Sequence, residues 1–174
     1  MAGRAGSLNL DFAEAGSEDW PGIWEIFRRV VATGETYPYP PDISERDAST
    51  AWMRLDGSRE ATFVARLDND LVATAYLKAN GPGLSDHVAN AGWMVSPDHQ
   101  GRGIGRALAK WVIDQARHRG YHSMQFNAVV ATNTGAIALW ESLGFEIVGT
   151  VPDAFRHARE GLTPVHIMYR RLQS

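Results

Sequence analysis

Residues 95–106 read V-S-P-D-H-Q-G-R-G-I-G-R and decide the fold of this chain. An apolar, strand-like run ends at Val95, a glycine-rich turn follows, and an amphipathic helix begins directly after it. Because glycine has no Cβ, Gly101, Gly103 and Gly105 let the backbone turn tightly and direct several N–H groups at one anion. The helix N-terminus adds a partial positive charge. The stretch therefore predicts a phosphate-binding turn; by itself it is also compatible with a strand-to-helix loop that needs positive φ angles.

The spacing of the glycines excludes two related phosphate motifs. G-R-G-I-G-R lacks the final glycine or alanine of the dinucleotide fingerprint G-x-G-x-x-G/A, and no G-K-[ST] follows, as a nucleotide-triphosphate loop requires. The remaining pattern is Q-x-x-G-x-G, which begins at Gln100; Arg102 within it and Arg106 directly after it can add full positive charges.

This pattern resembles the pyrophosphate-binding motif of the GCN5-related N-acetyltransferase (GNAT) superfamily. Residues 133–145, N-T-G-A-I-A-L-W-E-S-L-G-F, resemble the second motif of that family, N-x-x-A-x-x-L-[Y]-x-x-L-G-F. Two motifs in the right order, with one strand-like segment between them, are far more specific than either alone. The chain is identified as a member of the superfamily from about residue 61 to its C-terminus.

The hydrophobic periodicity predicts an α/β domain in the order β-α-α-β-β-β-α-β-α-β-β. This order matches the GNAT arrangement of a twisted mixed sheet with helices on both faces. We expect one domain over residues 1–174. The predicted strands are 8–12, 61–67, 71–78, 87–95, 123–130, 145–149 and 165–171, and the predicted helices are 19–33, one from about 44 that carries Leu55, one from about 104, and 134–143.

Composition narrows the class of protein. The chain has 174 residues, a net charge of −3 and 17 Lys and Arg residues that form no cluster, so neither a nucleic-acid nor a membrane surface is indicated. The absence of cysteine excludes thiolate metal sites and a cysteine acyl relay, and we expect no metal. No apolar run reaches the length of a signal peptide or of a membrane span. We expect a cytoplasmic protein. The sequence does not decide whether it forms a homodimer.

The resemblance implies a binding mode for acetyl-CoA. In GNAT folds the strand before the phosphate turn and the next parallel strand diverge, and the pantetheine arm enters between them. Backbone groups of Met94 and Val95 are then expected to hold the arm and polarise the thioester carbonyl, and Asn133 to reach the arm or the site centre. The pyrophosphate is expected to be bound by the turn, which comprises Gln100, Gly101, Arg102, Gly103, Ile104, Gly105 and Arg106.

Trp140 departs from the family pattern. Many GNAT enzymes have a tyrosine there, whose phenol protonates the leaving thiolate, whereas an indole N–H does not give up its proton at useful pH. Trp140 either shapes the acyl pocket or belongs to the core. The thiolate then leaves without a side-chain acid, which a thiol pKa of about 8.5 permits, or water donates the proton.

The polar residues of two neighbouring strands point to the acceptor. Asn90 and Asn127 lie in otherwise apolar strands, and buried amides need partners. They either bond to each other or to strand ends, or they form with Asn133 a neutral cluster for a small zwitterion. We assign Asn127 and Asn133 to catalysis and Asn90 to substrate binding.

The segment G-E-T-Y-P-Y-P-P, residues 34–41, is predicted to cover the acceptor, with Glu35, Tyr37 and Tyr39 as contacts. Its prolines and tyrosines make a stiff aromatic lid, or a rigid connector between two helices. Together with N-A-G-W-M-V, residues 90–95, and F-N-A-V-V-A-T-N, residues 126–133, this segment resembles the proline-analogue N-acetyltransferases of yeasts. The resemblance implies acetyl transfer to L-azetidine-2-carboxylate or a related cyclic amino acid.

With no cysteine nucleophile and no evident Ser-His pair, the acceptor amine attacks the thioester directly. The proton that it loses goes to a water held by Asn127 or Asn133, or to Glu35 or His87. Other amines stay open as acceptors, namely an amino-acid-like herbicide, a polyamine or a protein N-terminus, as does a non-catalytic acyl-CoA sensor.

Overall fold

The computed structural model describes residues 9–55 and 59–173. The predicted order of elements is confirmed. The elements are β1 Leu10–Glu14, α1 Trp20–Val31, α2 Glu45–Trp52, β2 Ala61–Leu67, β3 Asp70–Ala79, β4 Val88–Val95, α3 Ile104–His118, β5 Ser123–Val130, α4 Thr134–Ser142, β6 Glu146–His157 and β7 Gly161–Arg171.

Within the described residues the strands form a single mixed sheet in the order β1-β2-β3-β4-β5-β7-β6. All neighbouring pairs are antiparallel except β4 and β5, which are parallel and are joined through α3. A parallel pair requires such a crossover, because a hairpin can join only antiparallel strands. The mixed sheet predicted from the sequence is thus confirmed.

Helices cover both faces of this sheet, and each face has its own apolar core. On one face α3 and α4 bury Leu108, Val112 and Trp140 against the central strands. On the other face α1 and α2 bury Phe27 and Trp52. This two-sided burial explains why the central strands read as nearly continuous apolar runs.

The central parallel pair diverges soon after it begins. Only Val88↔Ser123 and Ala89↔Met124 are paired between β4 and β5. Beyond these residues β4 keeps its ladder with β3 as far as Val95, so its other edge is left open. The divergence places a cleft in the middle of the sheet, at the C-terminal end of β4, where the glycine turn begins.

The last two strands are longer than predicted. Strand β6 was expected to end at Gly149 and continues to His157, and β7 begins at Gly161 instead of Val165. The segment around Pro152 reads as a turn, but β6 is an edge strand, where proline is tolerated. The ladder absorbs it through a register shift between Val151 and Phe155.

The first two helices differ from the prediction only at their ends. Helix α1 has Pro21 in its first turn and ends at Val31, two residues before the predicted end. Ser44 caps α2 by accepting a hydrogen bond from the Asp47 N–H, but the helix ends at Trp52, so Leu55 lies outside it. The predicted first strand reached residue 8, which lies outside the described residues. None of the helices in the described ranges is long and apolar enough to cross a membrane.

Candidate active site

The glycine turn and the start of α3 form an anion-binding backbone. Gly101 and Gly103 have φ angles of +72° and +80°, in the left-handed region that favours glycine. Gly103 is the N-cap of α3, and its carbonyl accepts the hydrogen bond of Ala107 N–H at 3.1 Å. The N–H groups that precede Ala107 therefore have no intrahelical acceptor, as a phosphate site requires.

A cavity of about 880 Å³ lies over this turn, and we call it the glycine-loop cavity. It brings together most residues that the sequence assigned to a cofactor. Arg102 is the exception, because it does not line the cavity. The predicted residues that line it are Met94, Val95, Gln100, Gly101, Gly103, Ile104, Gly105, Arg106, Asn133 and Trp140.

The open edge of β4 presents backbone groups to the cleft. The Trp93 N–H donates to the Tyr37 hydroxyl at 2.9 Å, and that hydroxyl donates to the Trp93 carbonyl at 2.6 Å. Because successive residues of an antiparallel strand direct their backbone groups to opposite sides, Val95 faces the cleft as Trp93 does, whereas Met94 faces β3. The open-edge contacts that the sequence assigned to Met94 and Val95 therefore fall to Trp93 and Val95.

A second cavity, of about 310 Å³, adjoins the first, and we call it the asparagine cavity. Asn90, Asn127 and Tyr39 line this cavity and not the other. The two cavities meet at residues that line both: Thr36, Tyr37, Trp93, Asn133, Ala136 and Trp140. A group bound along β4 in one cavity thus ends next to a small molecule bound in the other.

The three predicted asparagines are each hydrogen-bonded, though not to one another. Asn90 accepts from the Tyr76 hydroxyl at 3.1 Å and donates to the Gln125 carbonyl at 2.9 Å, so it bridges the diverging strands. Asn127 donates to the Asn80 side chain at 2.7 Å and accepts from the Gln125 amide at 2.9 Å. Asn90 is buried as predicted, whereas Asn127 is exposed.

Asn133 caps α4. Its side-chain oxygen accepts from the Ala136 N–H at 3.2 Å, which aims the N-terminus of α4 at the junction of the two cavities. The cluster therefore exists as residues around one cavity, with each amide oriented by a protein partner.

Tyr76 and Lys78 also line the asparagine cavity, and the sequence did not single them out. Tyr76 lies across Gly92, where a Cβ would come within 2.6 Å of its ring. Both residues lie on one face of β3, where Tyr76 is opposite Gly92 and Lys78 is opposite Asn90 on β4. The alternation of side chains along β3 could have identified Tyr76 and Lys78 from the sequence. Only the strand register shows that these two side chains lie beside Asn90.

The tyrosines of the asparagine cavity stay protonated at neutral pH. Burial is the main cause that raises the pKa of Tyr37 well above its ordinary value, and burial likewise raises the pKa of Tyr39 and of Tyr76. Of the described residues that line this cavity, none is an Asp, Glu or His. The lining supplies hydrogen-bond donors and acceptors but no side chain that is a strong base.

The two side chains proposed as bases lie elsewhere. Glu35 lines the glycine-loop cavity and not the asparagine cavity, and it pairs with Arg159 at 2.8 Å. His87 packs against His122 with ring centroids 6.2 Å apart and lines neither cavity. The geometry gives no support to an acceptor contact by Glu35.

The loop of residues 34–41 is held at its first residue and in its middle. Its first residue accepts a hydrogen bond at 3.0 Å from Ala158 N–H, in the β6–β7 turn. Tyr37 and Tyr39 stack with ring centroids 6.0 Å apart, and the Tyr37 hydroxyl is bound to Trp93. The loop therefore lies over the junction of the two cavities, which Thr36 and Tyr37 both line.

Three buried polar side-chain atoms belong to residues that line the glycine-loop cavity. Thr36 Oγ1, Trp93 Nε1 and His99 Nδ1 have no hydrogen-bond partner among the described residues, although such atoms normally have one. They lie along the cleft between the open edge of β4 and the glycine turn. In the part of the chain that the structure describes, no cluster of three or more His, Cys, Asp or Glu residues could hold a metal.

Comparison with known proteins agrees with this geometry. The profile of the Acetyltransferase (GNAT) family matches residues 20–145. The N-acetyltransferase aca1 of Schizosaccharomyces pombe is 42% identical over 151 residues, which cover 79% of this chain and 72% of that protein.

Solved structures are also similar. A GCN5-related N-acetyltransferase from Kribbella flavida is 44% identical, with a TM-score of 0.89 over 93% of this chain and 97% of that one. A phosphinothricin acetyltransferase from Sinorhizobium meliloti, in complex with AcCoA, shares the fold at 23% identity, with a TM-score of 0.84 over 95% and 90% of the two chains.

Proposed function

This chain belongs to the acetyltransferase (GNAT) family, and from that premise we propose that its acceptor is the amino or imino nitrogen of a small amino-acid-like molecule. L-azetidine-2-carboxylate or another proline analogue is the first candidate. The observation that carries the proposal is the junction of the two cavities, where a cavity of about 310 Å³ lined by amides and tyrosines meets the cleft beside the glycine turn.

The residues of the glycine-loop cavity would hold acetyl-CoA, which supplies an activated acetyl group and a thiolate leaving group. The free N–H groups from Gly101 to Arg106, together with the Gln100 side chain, suit the pyrophosphate. Val95 and Trp93 suit the pantetheine arm because their backbone groups face the cleft. The Trp93 N–H donates a hydrogen bond to the Tyr37 hydroxyl in this structure. With acetyl-CoA bound, it would serve as the oxyanion donor for the thioester carbonyl.

The asparagine cavity would orient the acceptor. A cyclic amino acid carries a carboxylate and an amine only a few ångströms apart, so a compact site needs directional donors and acceptors. Asn90 and Asn127 are oriented by Tyr76, Gln125 and Asn80, which fixes the positions of their remaining lone pairs and protons. This supports direct attack of the nitrogen in a ternary complex, since no cysteine is present to form an acyl-enzyme.

The acceptor must lose a proton before it attacks. A secondary ammonium with a pKa about three units above neutral costs roughly 4 kcal/mol to deprotonate. The tyrosines of the cavity have raised pKa values, and among the described residues no carboxylate or imidazole lines it. We therefore assign the proton to a water held by Asn127 or Asn133, both of which line this cavity.

The test is CoA release measured across L-azetidine-2-carboxylate, L-proline, acyclic amino acids, phosphinothricin, spermidine and a peptide with a free N-terminus. We expect the cyclic amino acids to give the highest kcat/KM. A clear preference for spermidine or the peptide would refute the amino-acid acceptor and leave the acetyltransferase family standing. Acetyl-CoA binding without turnover of any amine would instead support an acyl-CoA sensor.

Asn127→Ala tests the role of the amides. We expect kcat/KM for the preferred acceptor to fall roughly ten- to thousandfold, the scale of one or two hydrogen bonds to the bound acceptor worth about 1.5–4 kcal/mol, with little change in acetyl-CoA affinity. Asn9→Ala is the matched control, because Asn9 is exposed and lies before β1. Full activity in Asn127→Ala would contradict the assignment.

A further inference from the structure

We infer that Lys78 binds a carboxylate of the acceptor and selects amines that carry a carboxylate over amines that do not; this rests on the function proposed above. Lys78 is directly opposite Asn90 in the antiparallel ladder of β3 and β4. Side chains directly opposite each other rise from the same face of a sheet, so the ammonium group and the Asn90 amide are presented together, and both residues line the asparagine cavity.

Lys78 supplies the only full charge among the described residues that line this cavity. The rest of its lining consists of aromatic, aliphatic, proline, glycine, hydroxyl and amide groups. The sequence suggested neutral amides in place of a strong charge, whereas the folded site contains both. A cation that is partly shielded from water by aromatic rings attracts an anion more strongly than an exposed cation does.

The nearby acidic side chain is already engaged. Glu60 accepts a hydrogen bond from the Ala79 N–H at 3.2 Å and lies 3.6 Å from the Arg54 guanidinium. Lys78 takes part in none of the ion pairs among the described residues. Its ammonium nitrogen lies 5.8 Å from the centroid of the Tyr76 ring. The ammonium group thus keeps hydrogen bonds to offer to a ligand.

A carboxylate on Lys78 also determines which atom of the acceptor reacts. In an α-amino or α-imino acid the nitrogen is one carbon away from the carboxylate. With the carboxylate at Lys78, on the side of the cavity away from the glycine turn, the rest of the molecule extends toward the junction with the glycine-loop cavity. A polyamine would place a second cation next to Lys78 instead, which is unfavourable.

The experiment compares Lys78→Met with Lys110→Met. These are the only two lysines of the chain, and Lys110 lies on α3 beside a different cavity, with Asp114 and Arg117. Methionine keeps the aliphatic stem and removes the charge. Each protein is assayed at saturating acetyl-CoA with two matched acceptors, L-azetidine-2-carboxylate and its neutral carboxamide, and each variant is compared with the wild type on the same compound.

In Lys78→Met we expect KM for the carboxylate to rise roughly 10- to 100-fold, the scale of one hydrogen bond to a charged group, with kcat nearly unchanged. KM for the carboxamide should stay within about twofold. Lys110→Met should match the wild type on both compounds. Lys78→Arg, which keeps the charge, should retain the preference for the carboxylate and provides the test if the methionine variant does not fold.

Equal losses on the carboxylate and the carboxamide, or loss of the preference in Lys78→Arg as well, would overturn the role of Lys78 while leaving the proposed function intact. Wild-type turnover of spermidine or a peptide, with none of either azetidine compound, would overturn the proposed function and this inference with it. Unchanged melting temperature and acetyl-CoA affinity in Lys78→Met would separate a loss of recognition from a loss of folding.

Discussion

At the scale of single residues, the Tyr37 hydroxyl forms hydrogen bonds with the Trp93 backbone groups that we assign to the pantetheine arm and its thioester. It bonds both the N–H and the carbonyl of Trp93, 56 positions away in the chain. Without acetyl-CoA, Tyr37→Phe should therefore lower the free energy of unfolding by about 1–3 kcal/mol, because two buried backbone groups lose their partner. Urea unfolding with and without saturating acetyl-CoA measures this difference.

If acetyl-CoA takes over those backbone groups, the deficit of Tyr37→Phe should shrink when the cofactor is present. Tyr39→Phe is the control, since Tyr39 stacks on Tyr37 and its hydroxyl bonds no described residue. A deficit that is the same with and without acetyl-CoA would mean that the cofactor does not bind at the Trp93 N–H and carbonyl.

Trp140 gives a second prediction at this scale. It is buried and packs on Trp93 and Phe126, with ring centroids 4.7 and 4.9 Å away. Trp140→Phe keeps an aromatic ring and should retain most activity, whereas Trp140→Ala should lose about 3–5 kcal/mol of stability through the cavity it creates. Steady-state kinetics measure the activity of each variant, and thermal unfolding measures its stability. An inactive Phe variant that still binds acetyl-CoA would give the indole N–H a role in the reaction.

At the scale of elements, the N-terminus of α3 can be tested against its own C-terminus. Gly103 and Gly120 flank this helix, both have φ +80°, and an added Cβ would meet nothing within 4 Å at either position. Replacing either by valine should cost similar backbone strain, about 1–2 kcal/mol. Only Gly103→Val should abolish acetyl-CoA binding, as measured by calorimetry, because only Gly103 lines the glycine-loop cavity. Normal acetyl-CoA affinity in Gly103→Val would mean that the pyrophosphate does not bind at this turn.

At the scale of the whole molecule, the ligand site lies between the two halves of the sheet. Strands β4 and β5 share only two paired positions before they diverge, and α3, α4 and the loop of residues 34–41 close the cleft from both faces. A ligand that binds the native state at 100 times its Kd stabilises it by about 2.7 kcal/mol.

For a chain of this length, that stabilisation corresponds to a rise in melting temperature of roughly 5–10 °C. We expect acetyl-CoA to produce such a rise in the wild type and none in Gly103→Val. Differential scanning calorimetry at several acetyl-CoA concentrations provides the measurement. No rise in the wild type at millimolar acetyl-CoA would contradict the cofactor assignment for the whole cleft.

The elements and the cofactor turn could be predicted from the sequence because they depend on local chemistry. Glycine spacing, apolar periodicity and the Ser44 cap act within a few residues of one another, and the structure reproduces β2 and β5 at the predicted residues. Where the local rule failed, as at the ends of β6 and β7, the edge position of β6 in the sheet decided the outcome.

Only the tertiary structure decided what surrounds the acceptor cavity. Asn90, Asn127 and Asn133 were identifiable from the sequence as candidates, but Tyr76, Gln125 and Asn80, which bond the side chains of Asn90 and Asn127, were not. The position of Lys78 opposite Asn90 follows from the register of β3 and β4, and a slip of one residue would turn its side chain to the other face. Strand register is fixed by burial summed over the whole sheet, so no local pattern encodes which side chains meet at the cleft.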